Sequence, residues 1–461
     1  MTRPNPGESG PFNRPGRSPE NLRNLNQHIY AMETFRVLTF NVWGLKYLSQ
    51  KRTERLAALT NLLLTSTGHS YDVICLQELW VEADFIRLKN ALRHKYPHSA
   101  YWPNSVVGSG LAVLSKWDII GRDFTAFGVC GEPGEIGGDW YAGKGVGNVT
   151  LKVEKLGEVE IFNTHFFAKG GEEGPESLRS VRISNAWEMA KVVRKAVAGG
   201  RHVIATGDFN SSPHSLPMRI MFQHGDLIDT WASTHPAPPA DPPRHTTTDK
   251  SAQAAVDLFG LTVDTPSNTW SAGKKLDNFA LRWLGKRLDY ILYNSAPLSG
   301  SPGFESTSGT RLSIQSTVVV LTGTVPGQDF SYSDHFGLEA TFAIVSSDSS
   351  AESRPITRRL SSEDIYTARE ALFCAFYSSR SRTRRHVLYL LASIIGLLLA
   401  VLGPSWISIE SSVWKWGAFI AAPIAAISAW GGTMALCVGI IYGIRERGRL
   451  TNFIEELECA R

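Results

Sequence analysis

Six short polar elements stand where apolar runs of the chain stop, and their side chains are of the kinds that acid, base and metal chemistry use. Asn41 ends LTFN, Gln77 and Glu78 end ICLQE, Asn163 and His165 follow EIF, and Asp208 and Asn210 follow IATG. Asp289 lies inside RLDYIL, and Ser333, Asp334 and His335 form SDHFG. Singly, each has an ordinary explanation: an Asn or Asp after a strand turns the chain, and a lone His is usually a surface or satisfied core group. As a set they place two histidines, four carboxylates and several amides at strand ends of one folded region. Oxygen donors without cysteine suit a hard cation, and Mg²⁺ in particular binds through one or two carboxylates while keeping several waters. Cleaving a phosphate ester requires such a cation, a base for the attacking water and an acid for the leaving oxygen. The residue types for all three are present.

Those residues need a scaffold that holds strand ends together. Short apolar, β-branched runs recur at 35–40, 73–76, 111–115, 146–153, 159–163, 203–206, 288–293, 317–321 and 338–344, and their lengths read as strands. Helical spacing predicts helices over 53–64, 83–96 and 178–198. Two strand-rich halves with helices between them suggest a four-layer α/β sandwich rather than an alternating parallel sheet. Residues 232–250, dense in Pro, Thr and His, read as an inserted surface loop, and 295–313, rich in Ser, Gly and Thr, as another.

The order Asn41, Gln77-Glu78, His165, Gly207-Asp208-Phe209-Asn210, Asp289 and Ser333-Asp334-His335 closely resembles the motif set of the deoxyribonuclease-like endonuclease/exonuclease/phosphatase superfamily, over about residues 35–345. Finer stretches, LTFNVWGL, QELW, GSGLAVLSK at 108–116, DWYAGKGVGN at 139–148, NTHFFA at 163–168 and GKRLDYIL at 285–292, look like the neutral sphingomyelinases and the fungal inositol phosphosphingolipid phospholipases C. The resemblance implies the deoxyribonuclease-like four-layer sandwich and Mg²⁺-dependent release of ceramide and a phosphorylated head group. It implies that Glu78 coordinates the metal with Asn41 beside it, and that His335 is the general base. Asp208 and Asn210 would position water and phosphate, and His165 would stabilise phosphoryl oxygens or assist the leaving oxygen. Asp289 or Asp334 would orient a histidine or help hold the metal site, and base and acid assignments could be exchanged. In the resembled family an Asp and a Lys five residues apart act as an activation switch, a spacing that Asp139 and Lys144 share. GKGVG at 143–147 lacks the full Walker spacing, which argues against nucleotide binding.

Rival phosphoesterases fit less well. A nuclease needs a basic face that the domain does not present, so no nucleic-acid partner is expected. Inositol polyphosphate 5-phosphatases carry WxGDxNxR and PAWxDR elements, whereas GDFNSSP lacks the Arg and no PAWxDR occurs.

The C-terminal quarter says where the substrate is met. Residues 387–409 and 416–444 hold no Asp, Glu, Lys or Arg, and each is long enough to cross about 30 Å of hydrocarbon. Arg380, Arg382, Arg384 and Arg385 precede the pair and Arg445, Arg447 and Arg449 follow it, while Glu410 and Lys415 lie between. The positive-inside rule then puts the domain and both termini in the cytosol, on the endoplasmic reticulum or alternatively the mitochondrial outer membrane. The arginines would attract anionic phospholipids, expected here as activators; the substrate partner is a sphingolipid in the bilayer, and the hairpin allows a homo-oligomer. Net charge is only +4, and five cysteines without pairing pattern or metal-ligand spacing fit a reducing compartment.

The expected organisation is a disordered tail at 1–32, a catalytic domain at 33–346, a linker with a juxtamembrane helix at 347–385, the transmembrane hairpin at 386–444 and a cytosolic tail at 445–461. In the linker, Ser361 or Ser362 could cap a helix running to Tyr377, with Ile365, Ala368, Leu372, Phe373 and Phe376 toward one face. That face would lie on the bilayer or pack on the domain.

Overall fold

The computed structural model describes residues 33–134, 139–171, 173–237, 249–295, 310–346, 359–406 and 412–460. The expected tail at 1–32, the first part of the linker at 347–358, residues 296–309 of the 295–313 loop and the centre of the 232–250 loop lie outside the described residues.

Among the described residues, twelve strands form two six-stranded mixed sheets. One contains β1 (Thr34–Asn41), β2 (Val73–Gln77), β3 (His98–Tyr101), β4 (Ala112–Ser115), β11 (Thr310–Val320) and β12 (Gly337–Ser346), in the order β11-β12-β1-β2-β4-β3. The other contains β5 (Asp118–Ala126), β6 (Gly145–Val153), β7 (Gly157–His165), β8 (His202–Asp208), β9 (Ile228–Asp229) and β10 (Asp289–Asn294), in the order β5-β6-β7-β8-β10-β9. Each sheet has one parallel neighbour pair near its centre, β1 with β2 and β7 with β8. Parallel neighbours require a crossover, supplied by α1 (Arg52–Thr65) in the first sheet and α3 (Glu176–Ala198) in the second.

The inner faces pack through Phe35, Val37, Leu151, Ile161, Ile204, Ile291 and Phe342, all fully buried. Outside the first sheet, α1 and α2 (Glu82–Leu92) bury Leu59, Leu63, Phe85 and Leu88; outside the second, α3 buries Trp187, Met189, Ala190 and Val193. Helix, sheet, sheet and helix make the four-layer α/β sandwich expected from two strand-rich halves with helices between them.

Departures from the sequence reading have identifiable causes. The segment 295–313 contains strand from Thr310 onward, because β11 pairs with β12 along its whole length despite its Ser and Thr content. β3 and β5 escape the pattern, the first by being four residues long and the second by lying exposed at a sheet edge. The helix expected over 83–96 stops at Leu92, and the 232–250 segment is flanked by short helices α5 (Thr230–Thr234) and α6 (Asp249–Phe259), after α4 (Leu216–Gln223) and before α7 (Asn278–Trp283).

The juxtamembrane helix and the first apolar stretch are one continuous helix, α8 (Ser362–Leu402), capped by Ser361, whose hydroxyl accepts from Asp364 N at 3.0 Å. Ile365, Ala368, Ala371 and Leu372 are buried in the α3 cluster, so this face packs on the domain instead of lying on a bilayer. α9 (Ser412–Met434), a π-helical turn at 435–441 and α10 (Tyr442–Cys459) form one continuous helical run whose last part lies along α3. The expected tail is therefore a docked helix, with Leu450, Phe453, Ile454 and Leu457 in the same core and Trp187 Nε1 donating to Glu456 at 2.6 Å.

α8 and the helical segment from Phe419 are long and apolar enough to cross a membrane, and the apolar window of α8 is wholly unburied. They approach closely where side chains are small: Gly396 faces Ser428, and Gly431 and Gly432 face Ser393.

Candidate active site

The chemistry-bearing residues meet at one edge of the sandwich because both parallel pairs end there. Asn41 and Gln77 are the last residues of β1 and β2, His165 and Asp208 the last of β7 and β8, and Asp289 the first of antiparallel β10. Asn163, His165 and Asp208 thus belong to the strands they were expected to follow, which holds them more rigidly than loops would. Asn163 also joins the sheets: its Nδ2 donates to Leu76 and Ala112 carbonyls at 2.9 and 3.0 Å, and its Oδ1 accepts from Gln77 Nε2 at 2.7 Å.

Asp208 is the hub. Its Oδ2 accepts from Asn41 Nδ2 at 3.1 Å and lies 3.5 Å from His165 Nε2 and 3.8 Å from His335 Nε2; its Oδ1 accepts from Asn210 N at 2.9 Å. Asn41 Nδ2 also reaches Glu78 Oε1 at 3.1 Å. Asp289 Oδ2 lies 2.9 Å from His335 Nδ1, which leaves Nε2 facing Asp208.

On the other flank Lys144, fully buried, donates to His165 Nε2 at 3.1 Å and Phe166 O at 2.9 Å, and pairs with Asp139 at 3.0 Å. Because the ammonium can only donate, Nε2 is the acceptor in that contact. Asp334 lies further out, 3.4 Å from Ser333 Oγ and 3.9 Å from Lys274 Nζ. Of the two carboxylates expected near a histidine, Asp289 is the one in hydrogen-bond contact.

Backbone geometry aims two of these groups. Glu78 and Asn210 have φ of 57° and 45°, left-handed values that non-glycine residues adopt only when their surroundings impose them. Gly44 and Gly207 permit this packing: a Cβ on Gly44 would sit 2.4 Å from the Glu78 carbonyl, and one on Gly207 2.1 Å from the Thr164 carbonyl.

Burial and like charge set the electrostatics. Burial, then the neighbouring Asp289, pushes Asp208 up to about 7; burial, then Asp334, raises Glu78. Burial works against a charged ring at His335, but Asp289, Asp208 and Asp334 together raise it well above its usual range. His165 goes the other way, held neutral by burial and then by Lys144 and His335. A divalent cation among these carboxylates would offset the repulsion between them. Asp289 Oδ1 is buried without a hydrogen-bond partner, and ligand atoms of Asp208, Asp289 and His335 lie within 4.8 Å of one another. That group fits a divalent metal site; Glu78, the expected ligand, lies outside it and is linked to Asp208 through Asn41 Nδ2.

Three supporting residues gave no sequence signal. Arg55 looks like a surface residue of an amphipathic helix, yet its guanidinium is buried, donating to the carbonyls of Val42, Trp43 and Tyr332 and locking the loop after β1 against the SDH segment. Asn268 donates to Ser333 O at 3.0 Å, and Thr262 Oγ1 accepts from Asp289 N at 3.3 Å.

Residues 38–335 match the model of the endonuclease/exonuclease/phosphatase family. The chain belongs to this family. Within it, the chain is 31% identical over 435 residues to an inositol phosphosphingolipids phospholipase C of Schizosaccharomyces pombe, covering 92% of this chain and 93% of that protein. It is 32% identical over 355 residues to the Saccharomyces cerevisiae protein of the same name, covering 70% and 66%. Sphingomyelin phosphodiesterase 2 of Rattus norvegicus is 27% identical over 385 residues, covering 82% and 80%. The enzyme is thus a phosphodiesterase of the neutral sphingomyelinase and inositol phosphosphingolipid phospholipase C group.

Proposed function

We propose that the enzyme is a membrane-bound, Mg²⁺-dependent sphingolipid phospholipase C, hydrolysing inositol phosphosphingolipids, sphingomyelin or both to ceramide and a phosphorylated head group. The observation that carries this is the similarity to the S. pombe phospholipase C, which spans nearly the whole of both chains.

Glu78, with Asn41 beside it, would hold the cation. Bound there, the ion would polarise a phosphoryl oxygen and neutralise developing charge. His335, oriented through Nδ1 by Asp289, would take a proton from the attacking water at Nε2 once a cation offsets the carboxylate charge that otherwise holds the ring protonated. Asp208 and Asn210 position water and phosphate. His165, kept neutral beside Lys144, contacts the phosphoryl oxygens or the leaving ceramide oxygen. Asp334 acts at longer range, its charge bearing on Glu78 and His335. Asp139 and Lys144 form a switch: Lys144 cannot leave Asp139 without disturbing its contact to His165. The hairpin keeps the domain and both termini cytosolic and raises the local concentration of bilayer substrate, while the flanking arginines attract anionic lipid.

The test is release of phosphorylated head group from sphingolipid vesicles in Mg²⁺. Glu78→Ala and His335→Ala should each reduce turnover by about 10²-fold or more, and a chelator should abolish it. Lys144→Ala should lower turnover without lowering the melting temperature. Cleavage of plasmid DNA in place of sphingolipid would overturn the reading.

A further inference from the structure

The fold decides which way the catalytic edge faces. Pairing of Leu76 and of Tyr101 with Ala112 brings the loop between β3 and β4 to that edge, and pairing of Val146 with Thr164 and of Ala126 with Gly145 brings the loop between β5 and β6 there. α8 climbs toward the same edge. Asp364 near its start pairs with Arg219 on α4, whereas Arg382, nearly five turns on, pairs with Glu132 in the β5–β6 loop. Beyond it, Leu388, Leu391, Leu398 and Leu402 are exposed. On the return, Tyr442 donates to Gly131 O and only then does α10 run down α3. The apolar hairpin therefore leaves the domain at the catalytic edge and continues past it.

Two loops at that edge leave large apolar side chains bare. Tyr47 is 90% and Leu48 71% exposed between β1 and α1; Val106 is 79% and Val107 38% exposed between β3 and β4. The second loop adjoins the base of the hairpin: Val107 N donates to Tyr141 O at 3.2 Å, and the ring of adjacent Trp140 lies 6.2 Å from that of Tyr442. Beside the first, the Lys46 ammonium sits 4.9 Å from the Tyr47 ring centre, and Lys51 is exposed. Apolar tips bordered by lysines are what an anionic lipid surface takes up, burying apolar area and attracting the cations at once.

We propose that these two loops are a docking surface for the bilayer: Tyr47 and Leu48, with Val106 and Val107, enter the headgroup–acyl boundary of the leaflet the hairpin spans and set the catalytic mouth on the lipid. This rests on reading the hairpin as membrane-spanning.

The experiment uses the full chain reconstituted in vesicles containing anionic phospholipid and nitroxide-labelled lipid, with a fluorescent amino acid at position 48, 106 or 64. Leu64, 40% exposed near the far end of α1, is the control. Quenching at 48 and 106 but not at 64 is expected. In unlabelled protein, Tyr47→Ser with Leu48→Ser should lower the ratio of vesicle turnover to turnover of a monomeric short-chain sphingolipid by about fivefold. Unquenched probes at 48 and 106, or an unchanged ratio, would overturn the proposal. Quenched probes in a protein that turns over no sphingolipid would remove the proposed substrate and leave the docking surface standing.

Discussion

The candidate catalytic residues depend on their backbone as much as on their side chains. Glu78 points into the site from a left-handed backbone whose carbonyl touches Gly44, receiving the Gly44 N–H at 3.0 Å. A methyl group at Gly44 has nowhere to go but into that carbonyl. Gly44→Ala should therefore lower turnover by about tenfold or more while the protein still folds, read as a fall in kcat at saturating Mg²⁺. Unchanged kcat would mean that the Glu78 peptide tolerates displacement. The polar series from Asn41 to His335 was legible because its residue types mark strand ends. Arg55 was not, since its helix gives no hint that the guanidinium turns inward onto four backbone carbonyls.

At the scale of elements, the two apolar helices are set on the domain by flanking helical segments rather than by a flexible tether. The first turns of α8 and the last of α10 share a core with α3. Truncating a buried aromatic in this seam leaves a cavity, so Phe453→Ala should cost about 3 kcal/mol or more. That should appear as a lowered apparent melting temperature of the detergent-solubilised chain, and an unchanged value would mean the seam adds little. Periodicity found the helix from Ser361 and its apolar face but left its partner open. Whether that face meets lipid or protein depends on α3, nearly two hundred residues earlier in the chain. The helical character of 445–461 was missed because its charged residues, read in order, suggest a solvated tail. Only the helical wheel brings Leu450, Phe453, Ile454 and Leu457 onto one side.

At the scale of the molecule, docking of α10 returns the chain to the domain, so a hairpin that crossed a membrane would leave the segments on either side of it on one face. In sealed vesicles with the domain outward, a membrane-impermeant maleimide should label both Cys374 and Cys459, which are exposed and lie outside the apolar stretches. Labelling of only one without detergent would separate the two flanks and contradict the hairpin. In the hairpin arrangement the edge that gathers the candidate catalytic residues is also the one from which the hairpin departs.

By itself the sequence determined the strand-rich sandwich, the polar residues that terminate its strands and two apolar stretches long enough to cross a membrane. These are written locally, in runs, alternation and charge, and need no knowledge of distant partners. The tertiary structure decided what lies against what: that His335 leans on Asp289, that Asp208 gathers the histidines and Asn41, that Lys144 bridges Asp139 and His165, and that the hairpin emerges beside the site. Those relations arise where sheets pair and pack across tens to hundreds of residues, and a contact at such separation leaves no periodic trace in the chain.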